Sequence, residues 1–394
     1  MISKQGCGLD CSSAGELWIA SELGIKGEDI MFTSNYTSLD DLKMAVSLDA
    51  IINLDDLSLV DHLARACREL GRPFPGVICF RLNPGLGNTQ SETASNLLGG
   101  PTAKFGVPPS DIVECYRRSK ALGATRFGLH MMTGSCVMDE TYWSATVSRL
   151  LQVARDVGQE VGVAFEFVNI GGGLGIPYRP EQPQVNLADV ANRVAAEFKR
   201  AFGDDVARWP RLCMENGRYV TGPAGWLVTR CNAVKEAFGT RFYGVDACMA
   251  NLMRPGMYNS YHHITVPTSA APVETCNVVG TLCENNDWFA KDRALPRAAP
   301  GDLFVVHDTG AHSHSMGFQY NSKLRAPEVL LRRGQAPRLI RRRETYRDLF
   351  ETALEVAPPP RRASPSSSLV LAGVGVAASV VVLLVGLRWN GARA

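Results

Sequence analysis

Three consecutive glycines, Gly171, Gly172 and Gly173, follow an apolar run over residues 163–168 that is typical of a buried strand. Because glycine has no side chain, successive backbone N–H groups at the end of a strand can converge on one oxyanion. A phosphate held by these amides is one interpretation, and a tight turn between a strand and a helix is the other. The remaining polar residues, and the elements that carry them, bear on this choice.

The glycines belong to a region in which strand-like and helical segments alternate. The strand-like runs lie at residues 7–12, 30–34, 50–55, 76–83, 126–133, 164–171 and 211–218. The helical segments between them include residues 14–23, 57–70, 109–122, 141–157 and 186–202. Such alternation predicts a parallel sheet covered by helices.

Polar and glycine residues gather at the carboxyl ends of several of these strands, as at residues 10–12, 81–84, 130–135 and 215–218. A (β/α)8 barrel has its active site at that end, whereas a doubly wound open sheet does not explain polar residues at so many strand ends. Seven strand–helix units are visible, and a closed barrel has eight. We therefore expect an α/β fold in which residues 1–224 form a TIM barrel that lacks its first strand.

Beyond residue 224 the sequence becomes rich in strand-like segments separated by turns, which predicts an antiparallel β domain over residues 225–350. A linker rich in Pro, Ser and Arg follows at residues 351–368. The uncharged run at residues 369–387 would be about 28 Å long as a helix, close to the ~30 Å of membrane hydrocarbon. We expect this run to form a C-terminal transmembrane helix, with an apolar tail that never inserts as the alternative. Arginines on both sides of the run leave its orientation open.

Composition narrows the class of protein. The 394 residues carry 41 Lys and Arg against 39 Asp and Glu, so no basic field points to nucleic acid. Eleven cysteines occur without paired Cys-x-x-Cys spacing, which favours a reducing compartment over a disulfide framework and predicts no zinc site. Together with the expected anchor, this predicts a single-pass membrane protein whose enzyme domain lies in the cytosol or a plastid.

Six ordered motifs resemble one family, the fold-type III decarboxylases that use pyridoxal phosphate and act on ornithine, arginine or diaminopimelate. The motifs lie at residues 130–135, 171–173, 215–218, 253–258, 283–287 and 307–312. The likeness extends from about residue 4 to about residue 350 and is greatest to the diaminopimelate decarboxylases. It implies a pyridoxal phosphate cofactor, a small amino-acid substrate and a homodimer with shared active sites.

The resemblance also assigns cofactor contacts. Decarboxylation at Cα leaves a carbanion, and pyridoxal phosphate supplies the electron sink that this carbanion needs. Glu215 would face the pyridine nitrogen and keep it protonated, while the phosphate would lie on the glycines with Ser135 and Arg218 beside it. The full set of implied cofactor contacts is Met132, Ser135, Gly171, Gly172, Gly173, Glu215, Arg218, His312 and Tyr320.

Substrate choice depends on the distal end of the amino acid, which is an ammonium alone in ornithine and an ammonium with a carboxylate in diaminopimelate. Arg254 and Tyr258 resemble the family's distal-carboxylate binders, and Glu284 resembles its distal-ammonium binder. Arg218 is expected to reach a substrate carboxylate as well. Cys283 resembles the cysteine that protonates the carbanion from the partner subunit. These residues favour diaminopimelate over ornithine or arginine.

Three residues depart from the family pattern. Met132 stands where many relatives have a histidine that stacks on the cofactor ring, and a thioether can pack there but offers no proton chemistry. Asn216 replaces the usual proline between Glu215 and the following glycine. His312 replaces a tyrosine, which removes one hydroxyl contact to phosphate or substrate. The methionine and histidine changes mark a branch of the family.

A fourth departure concerns the family's Schiff-base lysine, which lies on the first barrel strand. No lysine of this chain matches its motif. One hypothesis is an N-terminally truncated diaminopimelate decarboxylase, which makes L-lysine and CO2 in lysine biosynthesis but cannot turn over as printed. A non-catalytic regulatory or binding relative is the second hypothesis.

A third hypothesis is a metal-dependent barrel hydrolase. Its candidate ligands are His262, His263, His307, Asp308, His312 and His314. Its one His-x-His pair, His312 with His314, falls in the β domain and not at a barrel strand end, so we expect no metal site.

Overall fold

A computed structural model of the chain describes residues 5–85, 98–268, 270, 272–353 and the backbone of 380–384. The chain divides into two compact units. The first unit comprises Met1–Gly175 and Gln184–Asn216, and the second comprises Ile176–Pro183 and Gly217–Ala394.

The first unit is built on a seven-stranded parallel sheet in which each strand pairs with the next one along the chain. Its strands are β1 (Leu9–Cys11), β2 (Ile30–Thr33), β3 (Ile51–Leu54), β4 (Val77–Leu82), β5 (Arg126–Met131), β6 (Phe165–Asn169) and β7 (Arg211–Cys213). All seven predicted strands are present, although the last ends well before residue 218. A doubly wound sheet reverses its strand order at a switch point. The order here has no reversal, so that alternative is wrong.

Within the described residues, six α-helices connect these strands. They are α1 (Ala14–Glu22), α2 (Leu39–Ser47), α3 (Leu59–Glu69), α4 (Ile112–Ala121), α5 (Thr141–Val161) and α6 (Leu187–Phe202). Helix α6 is capped by Asn186, whose side chain accepts hydrogen bonds from the backbone N–H groups of Ala188 and Asp189. Helix α2 was not among the predicted segments, although Ser38 caps it through the N–H of Asp41.

Phe167 fills the interior of the first unit together with Ile51, Val77 and Cys79. Its fully buried ring lies against β5 at Gly128, where a β-carbon would run into the ring. Glycine at position 128 therefore makes room for the Phe167 ring of the neighbouring strand β6. The same strand leads into the glycine triplet.

The second unit is a mixed β structure. Its strands are β8 (Gly225–Ala237), β9 (Thr240–Val245), β10 (Ile264–Thr265), β11 (Val273–Val279), β12 (Trp288–Pro296), β13 (Leu303–Val306), β14 (Glu328–Leu331), β15 (Arg338–Arg341) and β16 (Val380–Leu384). Its helices are α7 (Gly217–Thr221), α8 (Arg254–Tyr258) and α9 (Tyr346–Phe350). The prediction of a purely antiparallel domain is wrong, because β9 pairs with β11 and β14 pairs with β16 in parallel. The long connection through α8 and β10 provides the crossover that a parallel pair needs.

The predicted membrane localisation is contradicted. Among the residues that the structure describes, no helix is both long and apolar enough to cross a membrane. Val380–Leu384, inside the predicted span of residues 369–387, form strand β16 and pair with β8 and β14. The rest of that span, and the predicted linker beyond residue 353, lie outside the described residues.

Candidate active site

The glycine triplet forms a turn directly after β6. Gly171 and Gly173 have positive φ angles of 68° and 114°, which favour glycine. A β-carbon at Gly171 would lie 2.6 Å from the Met132 sulfur, and one at Gly173 would lie 2.7 Å from the Gly134 carbonyl oxygen. A β-carbon at Gly172 would meet the Glu215 carbonyl oxygen. All three positions therefore require glycine for close approach, and Gly171 and Gly173 require it for their backbone angles as well.

Two of the three amides of this turn lack a strong acceptor within the described residues. The Gly172 N–H donates to the Met132 sulfur at 3.1 Å, and a thioether is a poor acceptor. Within the described residues the Gly173 N–H has no acceptor. The Gly171 N–H, in contrast, donates to the side-chain oxygen of Asn169 at 2.9 Å. Two of the three amides are thus suited to a stronger acceptor, as a phosphate would be, and the turn fits the phosphate end of pyridoxal phosphate.

Glu215 lies two residues beyond β7, and its side chain is 14% exposed. The Asn169 amide donates to its Oε1 at 2.7 Å, and the backbone N–H of Glu215 donates to the Gly171 carbonyl at 2.9 Å. Burial opposes ionisation of the carboxyl group. The nearby His130, the Asn169 amide and the Arg81 guanidinium outweigh burial, so the pKa of Glu215 lies below its ordinary value.

His130, on β5, is buried beside this carboxylate. Its Nε2 lies 3.4 Å from Oε1 of Glu215, and neither ring nitrogen has a hydrogen bond within the described residues. Met132 follows β5 and contacts Gly171 and Gly172, while Ser135 is half-buried after Gly134. The first unit thus brings an ionised acid, a buried histidine and an amide-lined turn together, which also fits the ring end of pyridoxal phosphate.

Three of the five described lysines of the first unit make their contacts away from this site. Lys43 pairs with Asp40 and Glu69, and Lys199 pairs with Asp204. Lys120 donates to the carbonyl groups of residues 161 and 162. These contacts hold all three side chains among the helices, so none of them occupies the role of the family lysine at the cofactor aldehyde.

In the second unit, Tyr178 links two arginines. Arg218, near the start of α7, donates from Nη1 to the Tyr178 hydroxyl at 2.6 Å. The guanidinium carbon of Arg254, the first residue of α8, lies 4.7 Å from the centre of the Tyr178 ring. Arg254 is only 7% exposed. The structure therefore brings two predicted substrate-binding arginines together around a buried tyrosine that the sequence did not single out.

His262 completes this cluster. Its Nε2 lies 2.7 Å from Nη1 of Arg254, its Nδ1 lies 2.8 Å from the His307 carbonyl oxygen, and its ring packs edge-on against Tyr178. The side chain is fully buried. Burial and then the Arg254 guanidinium lower the pKa of His262 to about 3, so the ring is neutral.

His312 has a positive φ of 56° and an exposed ring. Neighbouring protein atoms nevertheless desolvate this side chain. Desolvation there, followed by the Arg218 and Arg254 guanidinia, lowers the pKa of His312 to about 4. The residue that replaces the family tyrosine is therefore a neutral imidazole near both arginines.

Cys283 is exposed, and its hydrogen-bonding neighbours are Tyr320 and Asn321. Its Sγ lies 3.1 Å from the Tyr320 hydroxyl and 3.0 Å from Nδ2 of Asn321, and its backbone N–H donates to Oδ1 of Asn321 at 3.0 Å. Hydrogen bonds from Tyr320 and Asn321 to the sulfur lower the pKa of the Cys283 thiol. Tyr320, predicted as a cofactor contact, is here a neighbour of the cysteine.

The other predicted substrate residues are less constrained. Tyr258, the last residue of α8, is half-buried, and Glu284 is exposed directly after Cys283. The assigned roles of all these residues stay predictions. In the described part of the chain no cluster of His, Cys, Asp or Glu is placed to hold a metal ion, and His262 and His307 are instead occupied with protein hydrogen bonds.

Sequence reasoning missed Asn169, Tyr178 and His262. Asn169 is the last residue of β6, directly before the turn, so its place at a strand end was a usable signal. Tyr178 follows the same glycine-rich stretch. His262 was considered only as a metal ligand, and nothing in its local sequence indicates that it lies against Arg254.

Comparison with known proteins bears on what this site does. The model for the pyridoxal binding domain of the pyridoxal-dependent decarboxylases matches residues 1–222. Protein TabA of Pseudomonas amygdali pv. tabaci is 41% identical over 351 residues, covering 88% of this chain and 80% of that protein. The diaminopimelate decarboxylase of Methanothermobacter thermautotrophicus is 38% identical over 352 residues, covering 89% and 80%.

The fold has a solved counterpart as well. The crystal structure of diaminopimelate decarboxylase from Helicobacter pylori, complexed with L-lysine, superimposes with a TM-score of 0.78 at 28% identity, covering 87% of this chain and 83% of that one. The amide-lined turn and the buried acid of the first unit agree with these matches. The chain belongs to the pyridoxal-dependent decarboxylases of the ornithine, arginine and diaminopimelate type.

Proposed function

We propose that the protein catalyses the pyridoxal phosphate-dependent decarboxylation of meso-2,6-diaminopimelate to L-lysine and CO2, the last step of lysine synthesis by this route. Family membership and relatives that are themselves diaminopimelate decarboxylases support the reaction. The observation that carries the choice of substrate is the buried guanidinium of Arg254 on α8. A distal ammonium, as in ornithine, gains nothing from a guanidinium, whereas a distal carboxylate pairs with it.

At the cofactor, Gly171, Gly172, Gly173 and Ser135 would hold the phosphate. Pyridoxal phosphate supplies the electron sink for the carbanion that remains when CO2 leaves. Glu215, kept ionised by its neighbours, would hold the proton on the pyridine nitrogen. Met132 would pack on the ring, and Arg218, His312 and Tyr320 are the further predicted contacts.

Two arginines would each bind one carboxylate of the substrate. Arg218 would bind the carboxylate near the reacting carbon, and Arg254 with Tyr258 would bind the distal one. Arg254 and Tyr258 are the first and last residues of α8, so they lie on the same face of one helical turn. Glu284 would bind the distal ammonium. Cys283, with its thiol pKa lowered by Tyr320 and Asn321, would deliver a proton to the reacting carbon.

We also propose a finer architecture. Seven parallel strands in sequential order support a (β/α)8 barrel over residues 1–224, in which the family lysine belongs to the remaining strand. The β domain would then span residues 225–350. A homodimer with shared sites is part of this proposal, since Cys283 and Glu284 are exposed on the second unit and are accessible to a second copy of the chain.

The test begins with the coding sequence upstream of the Met1 codon, read for an in-frame lysine in the family motif. The protein expressed with that segment is assayed for CO2 release from meso-diaminopimelate, ornithine and arginine. We expect diaminopimelate to exceed both others by roughly 100-fold or more in kcat/KM, because buried polar groups reject a substrate that leaves them unpaired. Release from ornithine alone would overturn the roles of Arg254 and Tyr258.

A matched pair of variants separates substrate recognition from stability. Arg254→Gln should raise KM for diaminopimelate. Arg230→Gln, which removes an arginine of the same unit that donates to the Gly301 carbonyl, should leave it unchanged. A stop codon directly upstream, a protein detected at this length and no CO2 release from any substrate would instead support the non-catalytic relative.

A further inference from the structure

We propose that His262 is a positioning residue for substrate specificity: as a neutral imidazole of fixed tautomer, it holds the Arg254 guanidinium in the orientation that receives the distal carboxylate. This inference rests on the proposed function, because it takes Arg254 as the residue that binds that carboxylate. It assigns to His262 no contact with substrate or cofactor.

The two hydrogen bonds of His262 determine its tautomer. A carbonyl oxygen can only accept, so Nδ1, at 2.8 Å from the His307 carbonyl, must carry the proton. A guanidinium can only donate, so Nε2, at 2.7 Å from Nη1 of Arg254, must offer its lone pair. One neutral tautomer satisfies both contacts, while a protonated ring would place an N–H against the arginine.

The surroundings keep the ring in this form. His262 is 0% exposed, and the guanidinia of Arg254, Arg218 and Arg293 all disfavour a positive charge on it. Arg293 also donates to the backbone carbonyl of His262 at 2.9 Å, which fixes the main chain at the same residue. Neighbours within the second unit therefore fix the backbone of His262, the orientation of its ring and its protonation state.

Fixing one nitrogen of Arg254 fixes the whole group, because the guanidinium is planar and rigid. Nη1 is held by His262, Nη2 lies 3.4 Å from the Ser260 hydroxyl, and the Tyr178 ring lies 4.7 Å from the guanidinium carbon. A long arginine side chain loses considerable rotamer entropy when it binds a ligand. A guanidinium that is already oriented loses less, so His262 is expected to strengthen binding of the carboxylate without touching it.

Two substitutions of His262 test this role, because each can replace a different nitrogen of the imidazole ring. In His262→Gln the side-chain oxygen reaches the position of Nε2 and can still accept from Arg254. In His262→Asn the shorter amide can replace Nδ1 toward the His307 carbonyl but cannot reach the arginine. His263→Gln, a half-buried histidine next in sequence, is the matched control.

The ligands are L-lysine, which retains the distal carboxylate of diaminopimelate, and 1,5-diaminopentane, which has no carboxylate. Calorimetric titration of each into the protein with pyridoxal phosphate present requires no turnover. We expect His262→Asn to weaken L-lysine binding roughly 10-fold or more, as for loss of a hydrogen bond to a charged group, with binding of the diamine unchanged. His262→Gln should recover most of the affinity, and His263→Gln should have no effect.

Equal loss for both ligands, or equal affinity of the Asn and Gln variants, would overturn the inference. A second readout is independent of the reaction. ¹⁵N NMR of histidine-labelled protein should show His262 with a protonated Nδ1 and an unprotonated Nε2 at neutral pH, and a different tautomer would also overturn it. If the tautomer is as expected but L-lysine and diaminopimelate do not bind to the wild type, the proposed function fails and the orientation of Arg254 by His262 stands.

Discussion

Glu215 in the first unit and Arg254 in the second are both charged and largely buried, yet they are held in different ways. Glu215 accepts from the Asn169 amide and lies beside His130, with the Arg81 guanidinium also favouring its ionised form. Arg254 donates to His262, a ring that its surroundings keep neutral. The charge of Glu215 is thus stabilised partly by other titratable groups. The charge of Arg254 is stabilised by an acceptor, His262, that has one fixed protonation state.

This difference follows from what each charge must do. A buried charge is costly unless it is paired and hydrogen-bonded. A carboxylate that keeps a ring nitrogen protonated needs its own pKa held low, which nearby positive charge achieves. A guanidinium stays protonated in any protein environment and needs only orientation. The comparison predicts that the first unit is sensitive to charge and the second to geometry.

The largest effect should come from removing the charge of Glu215. Glu215→Gln keeps the shape and the contact with Asn169 but cannot hold the cofactor nitrogen protonated. We expect kcat for CO2 release to fall by roughly 100-fold or more, the scale on which preorganised electrostatic groups act. Glu166→Gln, which removes an ion pair to Arg126 in the same unit, is the control and should change kcat little. A Glu215→Gln variant with near wild-type kcat would remove the acid from the proposed chemistry.

The next effect should come from placing a negative charge on Asn169, the neutral neighbour of Glu215. In Asn169→Asp two carboxylates face each other at the 2.7 Å that now joins Asn169 and Glu215, and they must share a proton. We expect the pKa of Glu215 to rise and kcat to fall about 10-fold at neutral pH, with recovery as the pH is raised. The pH–rate profile measures this. An unchanged profile would mean that Asn169 does not influence the ionisation of Glu215.

A smaller effect concerns the loss of folding stability that buried His262 causes in acid. Its pKa is about 3 in the folded protein against an ordinary 6.5, so between these values only the unfolded chain binds the proton. The free energy of unfolding therefore falls as the pH is lowered through this window, by up to about 1.4 kcal/mol per pH unit. Urea unfolding between about pH 4.5 and 6.5 should show a shallower slope for His262→Gln. His62→Gln, at an exposed position on α3, should retain the wild-type slope.

The smallest effect concerns the reactivity of the Cys283 thiol, which is exposed, unlike the charges of Glu215 and Arg254. Asn321→Gly removes the amide that contacts the sulfur but suits the positive φ of 52° at this position. We expect the thiol pKa of Cys283 to rise and its alkylation by iodoacetamide near neutral pH to slow several-fold, since the thiolate is the reactive form. Peptide mass spectrometry reports each cysteine, and exposed Cys7 is the internal reference. Ser322→Gly, at a φ of 54°, is the backbone control, and equal slowing in it would implicate the loop rather than the amide.

The parts of the fold that could be predicted are those with local sequence signals, namely the alternation of strand-like and helical segments and the capping residues of helices. The seven parallel strands and helices such as α6 carry strong local signals, including the Asn186 cap. The β-rich half was recognised, but its parallel pairs were not, because pairing partners far apart in sequence leave no local trace. The apolar residues 380–384 illustrate the limit: hydrophobicity alone favoured a membrane helix, whereas the backbone pairs as strand β16.

The candidate site also contains residues that local sequence signals identify and residues that they do not. Glu215, the glycine turn and Arg254 lie in recognisable motifs, so their candidacy could be read from the sequence. Their supporting residues could not, because Asn169 contacts Glu215 across 46 positions and His262 contacts the His307 carbonyl across 45. Contacts of this kind depend on the folded arrangement of strands and loops.

Helix α8 is a single turn with Arg254 at its first position, Tyr258 at its last and Asn259 closing it in a left-handed conformation. The two side chains assigned to the distal carboxylate of the substrate are therefore encoded within one five-residue segment with its own stop signal. Such a segment can be exchanged as a cassette without altering the glycine turn or Glu215. Substrate preference can thus diverge, in evolution or in the laboratory, while the decarboxylation chemistry remains intact.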